Sequence, residues 1–201
     1  QVKNKTFIVV ADCTGHGVPG AFMSMIGIAS LNEVINKEQI LEPAAILTAL
    51  NQKIRYSLHQ DETDNNDGMD IALCVLEKVE NNKINITFSG AKRPLLYSEN
   101  EELKVIKGNR KSIGGSQNTK EFRQDSLFLT KRDSIYLFSD GIIDQSSPKR
   151  KRLGTPALTK ALNDNLAKPL NEQKNNIVET LKNHQQDSPQ RDDIVMIGIR
   201  F

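Results

Sequence analysis

Blocks of helix and blocks of strand, in place of strict alternation, put this 201-residue chain in the α+β class, with helices covering the faces of mainly antiparallel sheets. Three observations lead there. A buried-strand signature near the N-terminus is followed by two amphipathic helical stretches. A long middle section is punctuated like a β-meander. Two further helical stretches and one apolar strand close the chain.

Each element has its own local cause. Phe7–Ala11, FIVVA, is apolar and β-branched, the pattern of a buried strand, and Asp12 stands where it ends. Gly15 and Gly17 bracket His16 in a turn, and Pro19 suits the first turn of a helix, where its missing N–H costs nothing. A helix over Pro19–Asn36 follows, with Ala21, Met25, Ile28, Ala29 and Ile35 recurring near helical spacing and predicting one buried face. Pro43–Leu58 is a second amphipathic helix, carrying Ala45, Ile46, Ala49, Leu50 and Ile54, and the two are expected to pack as a pair. Asp61–Asp67, DETDNND, reads as a solvated loop, since it lacks the glycine and terminal glutamate spacing of a calcium-binding loop.

The meander starts at Met69–Val79. It turns at Asn81-Asn82 and returns along Lys83–Ser89, where Ile84, Ile86 and Phe88 alternate. Leu95–Tyr97 and Leu103–Ile106 make another pair. The polar stretch Gly108–Thr119 separates them from Phe122–Leu129 and Ser134–Phe138. Thr155–Leu166 and Leu170–His184 read as helices, and Ile194–Phe201 as the last strand. Lys149–Arg152, KRKR, is expected in a solvated loop.

With 37% hydrophobic residues the chain can bury a sizeable core, most simply as one domain over residues 1–201. A net charge of +2 and a pI near 8.5 are too mild to imply nucleic-acid binding. No apolar run reads as long enough to span a bilayer and no signal peptide is apparent, so a soluble chain without membrane contact of its own is expected. Cys13 and Cys74 lie in turn or apolar stretches, which fits buried thiols in a reducing cytoplasm. The start at Gln1, almost directly on a strand, reads as a domain excised from a longer protein.

Function is concentrated in acids at strand ends. Asp12 ends the first strand, Ser134–Phe138 runs into Ser139-Asp140-Gly141, and Asp192-Asp193 precede the last strand. If that last strand is antiparallel to the other two, these carboxylates meet at one sheet edge, where they would repel unless cations sat between them. Oxygen donors select Mg²⁺ or Mn²⁺, and neither cysteines nor histidines have zinc spacing. Two such ions can activate water against a phosphate ester without a protein nucleophile. For any single Asp a turn or cap role is the commoner explanation, but three placed alike weaken it. The rival reading takes Gly15-His-Gly17-Val-Pro-Gly20 as the dinucleotide pattern G-x-G-x-x-G. It is disfavoured because two helical stretches, not one, precede the next strand, and because Asp12 would face a pyrophosphate.

At these residues the chain resembles the stage II sporulation protein E type of bacterial phosphatase, a branch of the metal-dependent type 2C serine/threonine protein phosphatases. The likeness is carried by ADCTGHGVPGAFMSMIG at 11–27, GMDIALC at 68–74, FSGAKRPLLY at 88–97, SIGG at 112–115, YLFSDGIIDQ at 136–145 and RDDIVMIGI at 191–199. It implies an α-β-β-α sandwich of two mainly antiparallel sheets flanked by helices, with a two-metal centre holding Mn²⁺ or Mg²⁺. It further implies that Asp12 is a bridging carboxylate, that the backbone carbonyl of Cys13 is a second contact, and that Asp140 and Asp192 complete the protein ligands. Gly141 and Asp193 would support that geometry, and Asp70 would have an accessory role, with burial at a strand start as the alternative. His16 is divided evenly between catalytic support and turn structure. Relatives of this type carry a further metal-binding Asp on a strand just before Phe7, which this sequence does not include; a fragment of a longer sensor protein, itself able to be membrane-anchored, is the expectation.

The function implied is hydrolysis of a phosphoserine or phosphothreonine on a regulatory protein of the anti-sigma-antagonist type, in signal transduction. The alternative is a catalytically incomplete phosphatase-like binding module in a partner-switching pathway. Association with a second copy of the chain stays open.

Overall fold

The computed structural model describes residues 2–79, 83–115 and 121–201. The turn expected at Asn81-Asn82, the part of the polar stretch beyond Gly115 up to Thr119, and Gln1 lie outside the described residues. The chain divides into two compact units, one formed by residues up to Leu95 with Ile106–Phe128, the other by Leu96–Val105 with Leu129–Phe201.

The first unit is built on a sheet in the order β1-β2-β3-β7, with β6 also pairing with β2. Its strands are β1 (Lys5–Cys13), β2 (Gly68–Lys78), β3 (Ile84–Ala91), β6 (Ile113–Gly114) and β7 (Asp125–Leu129). β2 is central and buried along Ile71–Val75, as its near-continuous apolar run dictates. β1 and β3 flank it antiparallel, with Ala11 opposite Ile71 and Cys74 opposite Phe88. Two helices belong to this unit. α1 (Gly17–Asn32) continues into a π-helical turn at Glu33–Lys37, and α2 (Pro43–Ser57) starts on Pro43. Met23, Val34, Ile35, Ile46, Leu47, Leu50 and Ile54 from these helices form one core with Met69, Ile71, Leu73 and Val75 of β2, so the expected pairing of consecutive helices holds.

The expected buried face of α1 is corrected. Ala21, Met25, Ile28 and Ala29 are exposed, Met25 by 65% and Ile28 by 63%, whereas Met23, Gly27 and Ser30 are buried. The reason lies in the sequence GVPGAFMSMIGIAS, which is apolar or small on every side, so periodicity cannot choose a face. Packing chooses instead: Gly27 lies against the Met69 side chain of β2, where an added Cβ would stand 2.6 Å from Met69 Cε and push that methyl aside. The reading that no apolar run could span a bilayer is also corrected, since Gly17–Lys37, 21 residues, is long and apolar enough by length and composition. Its Met23, Val34 and Ile35 are nonetheless part of the unit's core.

The second unit carries the sheet β5-β4-β8-β9, formed by β4 (Leu95–Glu99), β5 (Glu102–Ile106), β8 (Ser134–Phe138) and β9 (Met196–Arg200). Every residue of β8 is buried, and it pairs antiparallel with β4 and with β9, Phe138 opposite Met196. Three helices complete the unit: α3 (Gly141–Asp144), α4 (Gly154–Asn163) and α5 (Leu170–Gln185). Leu158, Leu162 and Ile177 from the helices pack with Leu96, Tyr136 and Phe138 of the sheet. The buried Tyr136 hydroxyl donates to Gln173 Oε1 at 2.7 Å, and the Gln173 amide donates in turn to the carbonyls of Leu166 and Lys168. Each buried polar atom of that chain thereby finds a partner. The class read from the sequence, α+β with two mainly antiparallel sheets and flanking helices, is the class observed.

Candidate functional site

In the first unit the strand end at Asp12 and the turn after it are built by close backbone contacts. Asp12 lies opposite Asp70 and Cys13 opposite Met69 in the β1–β2 register. Two acids facing each other across a ladder repel, and the structure answers with cations and donors gathered on Asp70. Arg93 Nη2 donates to its Oδ2 at 2.6 Å, Ser112 Oγ donates to its Oδ1 at 2.6 Å, and Lys92 Nζ stands 3.5 Å from Oδ1. The Asp70 side chain is only 15% exposed, so this pairing offsets the cost of burying a carboxylate. The expected accessory or structural acid is therefore an anchored ion-pair partner.

Beyond Asp12 the chain turns sharply. Thr14 N–H donates to Gly68 O at 2.9 Å, its hydroxyl donates to Asp67 Oδ1 at 2.9 Å and accepts from Gly68 N–H at 3.0 Å. Gly15 and Gly17 take φ of +87° and +63°, and a Cβ on Gly20 would meet Gly15 O at 2.7 Å. This is the left-handed, close-packed turn that the glycine spacing predicts. His16 is exposed and serves as the N-cap of α1 in extended conformation, with no side-chain cap hydrogen bond. The Cys13 thiol is half-buried, and burial pushes its pKa above the ordinary value; a hydrogen bond with Ser24 opposes this and the Asp12 charge adds to it. A thiol held neutral in this way is a poor metal donor.

In the second unit β8 delivers Asp140 to the N-cap of α3. Ser139 clamps the two neighbouring segments: its N–H donates to Val195 O at 3.0 Å, its hydroxyl donates to Asp193 O at 2.8 Å and accepts from Val195 N–H at 3.0 Å. Gly141 passes so close to this segment that a Cβ would lie 2.3 Å from Asp193 O. Asp192 Oδ1 accepts from the Asp193 N–H at 2.8 Å. As a result, carboxylate oxygens of Asp140 and Asp192 come within 4.8 Å of one another, the first half-buried and the second exposed. Arg152 Nη1 reaches both oxygens of Asp144, at 3.1 and 3.2 Å, beside a cleft of about 200 Å³ that Asp192 and Arg191 also line.

The sequence-predicted residues thus fall into two sets, Asp12, Cys13, His16 and Asp70 in one unit and Asp140, Gly141, Asp192 and Asp193 in the other; Asp12 is set opposite Asp70, and Asp140 and Gly141 against Asp192 and Asp193, while His16 stays exposed at the start of α1. Carboxylate, carbonyl and hydroxyl oxygens dominate both. That donor chemistry fits hard divalent cations such as Mg²⁺ or Mn²⁺ and fits zinc poorly. Sequence reasoning missed Arg93, Ser112, Thr14 and Ser139. The first two lie in the quoted GAKRP and SIGG segments, and the buried acid of GMDIALC was the signal that a basic partner had to exist.

A sequence model of the stage II sporulation protein E (SpoIIE) family matches residues 3–201. Among solved structures, the SiaA-PP2C domain of Pseudomonas aeruginosa is 33% identical with a TM-score of 0.85, over 100% of this chain and 78% of that one. A structure of the PP2C phosphatase domain of SpoIIE from Bacillus subtilis, with a fragment of its regulatory domain, is 16% identical with a TM-score of 0.68, over 100% of this chain and 57% of that one. The serine/threonine phosphatase PstP/Ppp of Mycobacterium tuberculosis shares the fold at 15% identity and a TM-score of 0.58, over 98% of this chain and 92% of that one. No curated protein matches the sequence.

Proposed function

Since the chain belongs to the stage II sporulation protein E family and has the type 2C phosphatase fold, we propose that it is a metal-dependent serine/threonine protein phosphatase acting on a phosphorylated regulatory protein. The observation that carries this reading is the approach of the Asp140 and Asp192 carboxylates within 4.8 Å, held by the Ser139 clamp and the Gly141 contact. Two carboxylates at that distance repel each other, and a divalent cation between them would offset the repulsion.

In this proposal Asp12, Asp140, Asp192 and the carbonyl of Cys13 hold Mn²⁺ or Mg²⁺. Such ions, when bound, supply an activated water and neutralise charge on the phosphoryl group. The chain's own residues do the positioning. Gly141 lets the turn after β8 lie against Asp193 and so orients the acid pair, while Arg93 and Ser112 keep Asp70 anchored opposite Asp12. Asp193 acts through its backbone carbonyl, and His16 shapes the entry to α1. A cytoplasmic place of action belongs to the same proposal, in keeping with the free thiols of Cys13 and Cys74.

The test is phosphate release from a phosphoserine peptide, with Mn²⁺ and with chelator, for the wild-type chain and for Asp140→Asn. We expect turnover that needs the metal and falls by at least about a hundred-fold in the variant, since even losing a group that only orients a ligand costs about 10–100-fold. Peptide binding without turnover in either protein would instead favour the binding-module reading.

A further inference from the structure

A second site lies in the first unit, beside the turn that follows Asp12. It is a pocket of about 540 Å³, large enough for a side chain with its backbone. Gly68, Gly114 and Gly115 form part of its wall, together with Thr14, Asn51 and Asn66, and Lys92, Arg110, Lys111 and Ser112 complete the lining. Those lining residues include three cations and no carboxylate.

The walls are fixed by contacts that leave no room for side chains. A Cβ on Gly68 would fall 2.0 Å from Ile113 O, and one on Gly114, at φ +74°, would fall 2.7 Å from Asp67 O. Gly114 N–H is taken by Asn51 Oδ1 at 2.8 Å and Gly115 N–H by Gln60 Oε1 at 2.9 Å. The backbone therefore shapes the pocket, and recognition falls to the side chains. Lys92 is held in the left-handed region at φ +57°, its N–H bonded to Asn109 O at 2.7 Å. Its side chain stays 52% exposed although Asp70 is 3.5 Å away, because Arg93 and Ser112 already occupy that carboxylate more closely. Lys111 is set over the Phe122 ring, 4.0 Å from its centroid, where the ring face attracts the ammonium.

Position relative to Asp12 matters as much as charge. Thr14 lines the pocket and stands two residues from Asp12 in the chain, which limits their Cα separation to at most about 7 Å. A peptide running past Asp12 would set a residue two or three positions from its phosphoserine against this pocket at about 3.3 Å per residue.

We propose that this pocket is a specificity subsite for an acidic side chain of the phosphoprotein substrate, close to the phosphoserine; the proposal rests on the phosphatase reading above and names the substrate class it would take. Lys92, Arg110 and Lys111 supply the complementary charge, which sets partner choice and encounter rate. Burial holds the Lys111 ammonium below its ordinary pKa, with Glu121 opposing that shift, and a carboxylate in the pocket would reverse the deficit.

The experiment measures fluorescence anisotropy of two labelled phosphoserine peptides of equal length, one with Asp or Glu two and three residues from the phosphoserine and one with Ala there. Both are titrated with the whole chain at low and at high salt, with Mn²⁺ and with chelator. We expect the acidic peptide to bind about ten-fold more tightly at low salt, the preference to shrink at high salt, and the preference to collapse towards unity in Arg110→Ala/Lys111→Ala. Arg110→Glu, at an exposed position, guards against loss of fold in the double variant and should reverse the preference. Equal affinity of the two peptides for the wild-type chain, a preference that survives both variants, or no binding by either peptide would each overturn the subsite. Because binding is read separately from phosphate release, a chain that selects the acidic peptide but never hydrolyses it would reject the phosphatase reading while upholding the subsite.

Discussion

Asp70 shows how one buried side chain organises its neighbourhood. It accepts from Arg93 and Ser112 at 2.6 Å each while sitting opposite Asp12. Removing one partner of a buried pair leaves an uncompensated charge, so Arg93→Ala is expected to cost about 3 kcal/mol in equilibrium denaturation. Asp70→Asn/Arg93→Ala should recover part of that loss, and a double-mutant cycle with no coupling would refute the pairing as the cause. The acid of GMDIALC was visible in the sequence as an accessory residue or one buried at a strand start. Its partners were not, because Arg93 and Ser112 are 23 and 42 residues away and only the β2–β3 and β2–β6 pairings bring them back.

At the scale of elements, α1 is the instructive case. Its apolar residues surround the helix, and the face against β2 is set by Met23 and Gly27 instead of Met25 and Ile28. Met23→Asp should therefore destabilise the chain by several kcal/mol, about 3 or more for an unpaired buried charge. Met25→Asp should change stability by less than about 0.5 kcal/mol. Thermal denaturation of the two variants checks the assignment, and similar losses in both would contradict it. The start of α2 offers a second test. Glu42 is its N-cap and accepts from Lys5 Nζ at 2.9 Å and from Gln124 Nε2 at 3.1 Å. The hydrogen bond from Lys5, then that from Gln124, holds the Glu42 carboxyl below its ordinary 4.5. A depressed carboxyl stabilises the fold above its unfolded value and loses that contribution as pH falls through the folded one. Stability should thus decline from about pH 4.5 downward, by well under about 1 kcal/mol from this group since its side chain is 55% exposed. Glu42→Gln should flatten that part of the stability–pH curve, and an unchanged slope would assign the acid sensitivity elsewhere.

For the molecule as a whole, the proposed cation site predicts linkage between metal and folding. A ligand that binds only the folded state at a hundred times its Kd adds about 2.7 kcal/mol of stability. Mn²⁺ should therefore raise the Tm of the wild-type chain by several degrees, and Asp12→Asn and Asp140→Asn should each blunt the rise. A Tm indifferent to Mn²⁺ in the wild type would count against the metal centre independently of any activity assay.

Local sequence determined much of this protein. The strand at Phe7–Ala11, the glycine turn after Asp12, the buried runs of β2 and β8, and the proline-started α2 follow from side-chain shape, backbone freedom and apolar pattern over a few residues, as do the acids placed at strand ends. Resemblance over the whole length supplied the family. Only the tertiary structure decided which face of α1 is buried, that Ile113–Gly114 forms a strand with Gly68–Met69, that α3 begins at Gly141, and which partners hold Asp70 and line the cationic pocket. Those outcomes depend on contacts between residues far apart in the chain, whose free energy appears only when the backbone has already brought them within a few ångströms, and no local pattern encodes that encounter.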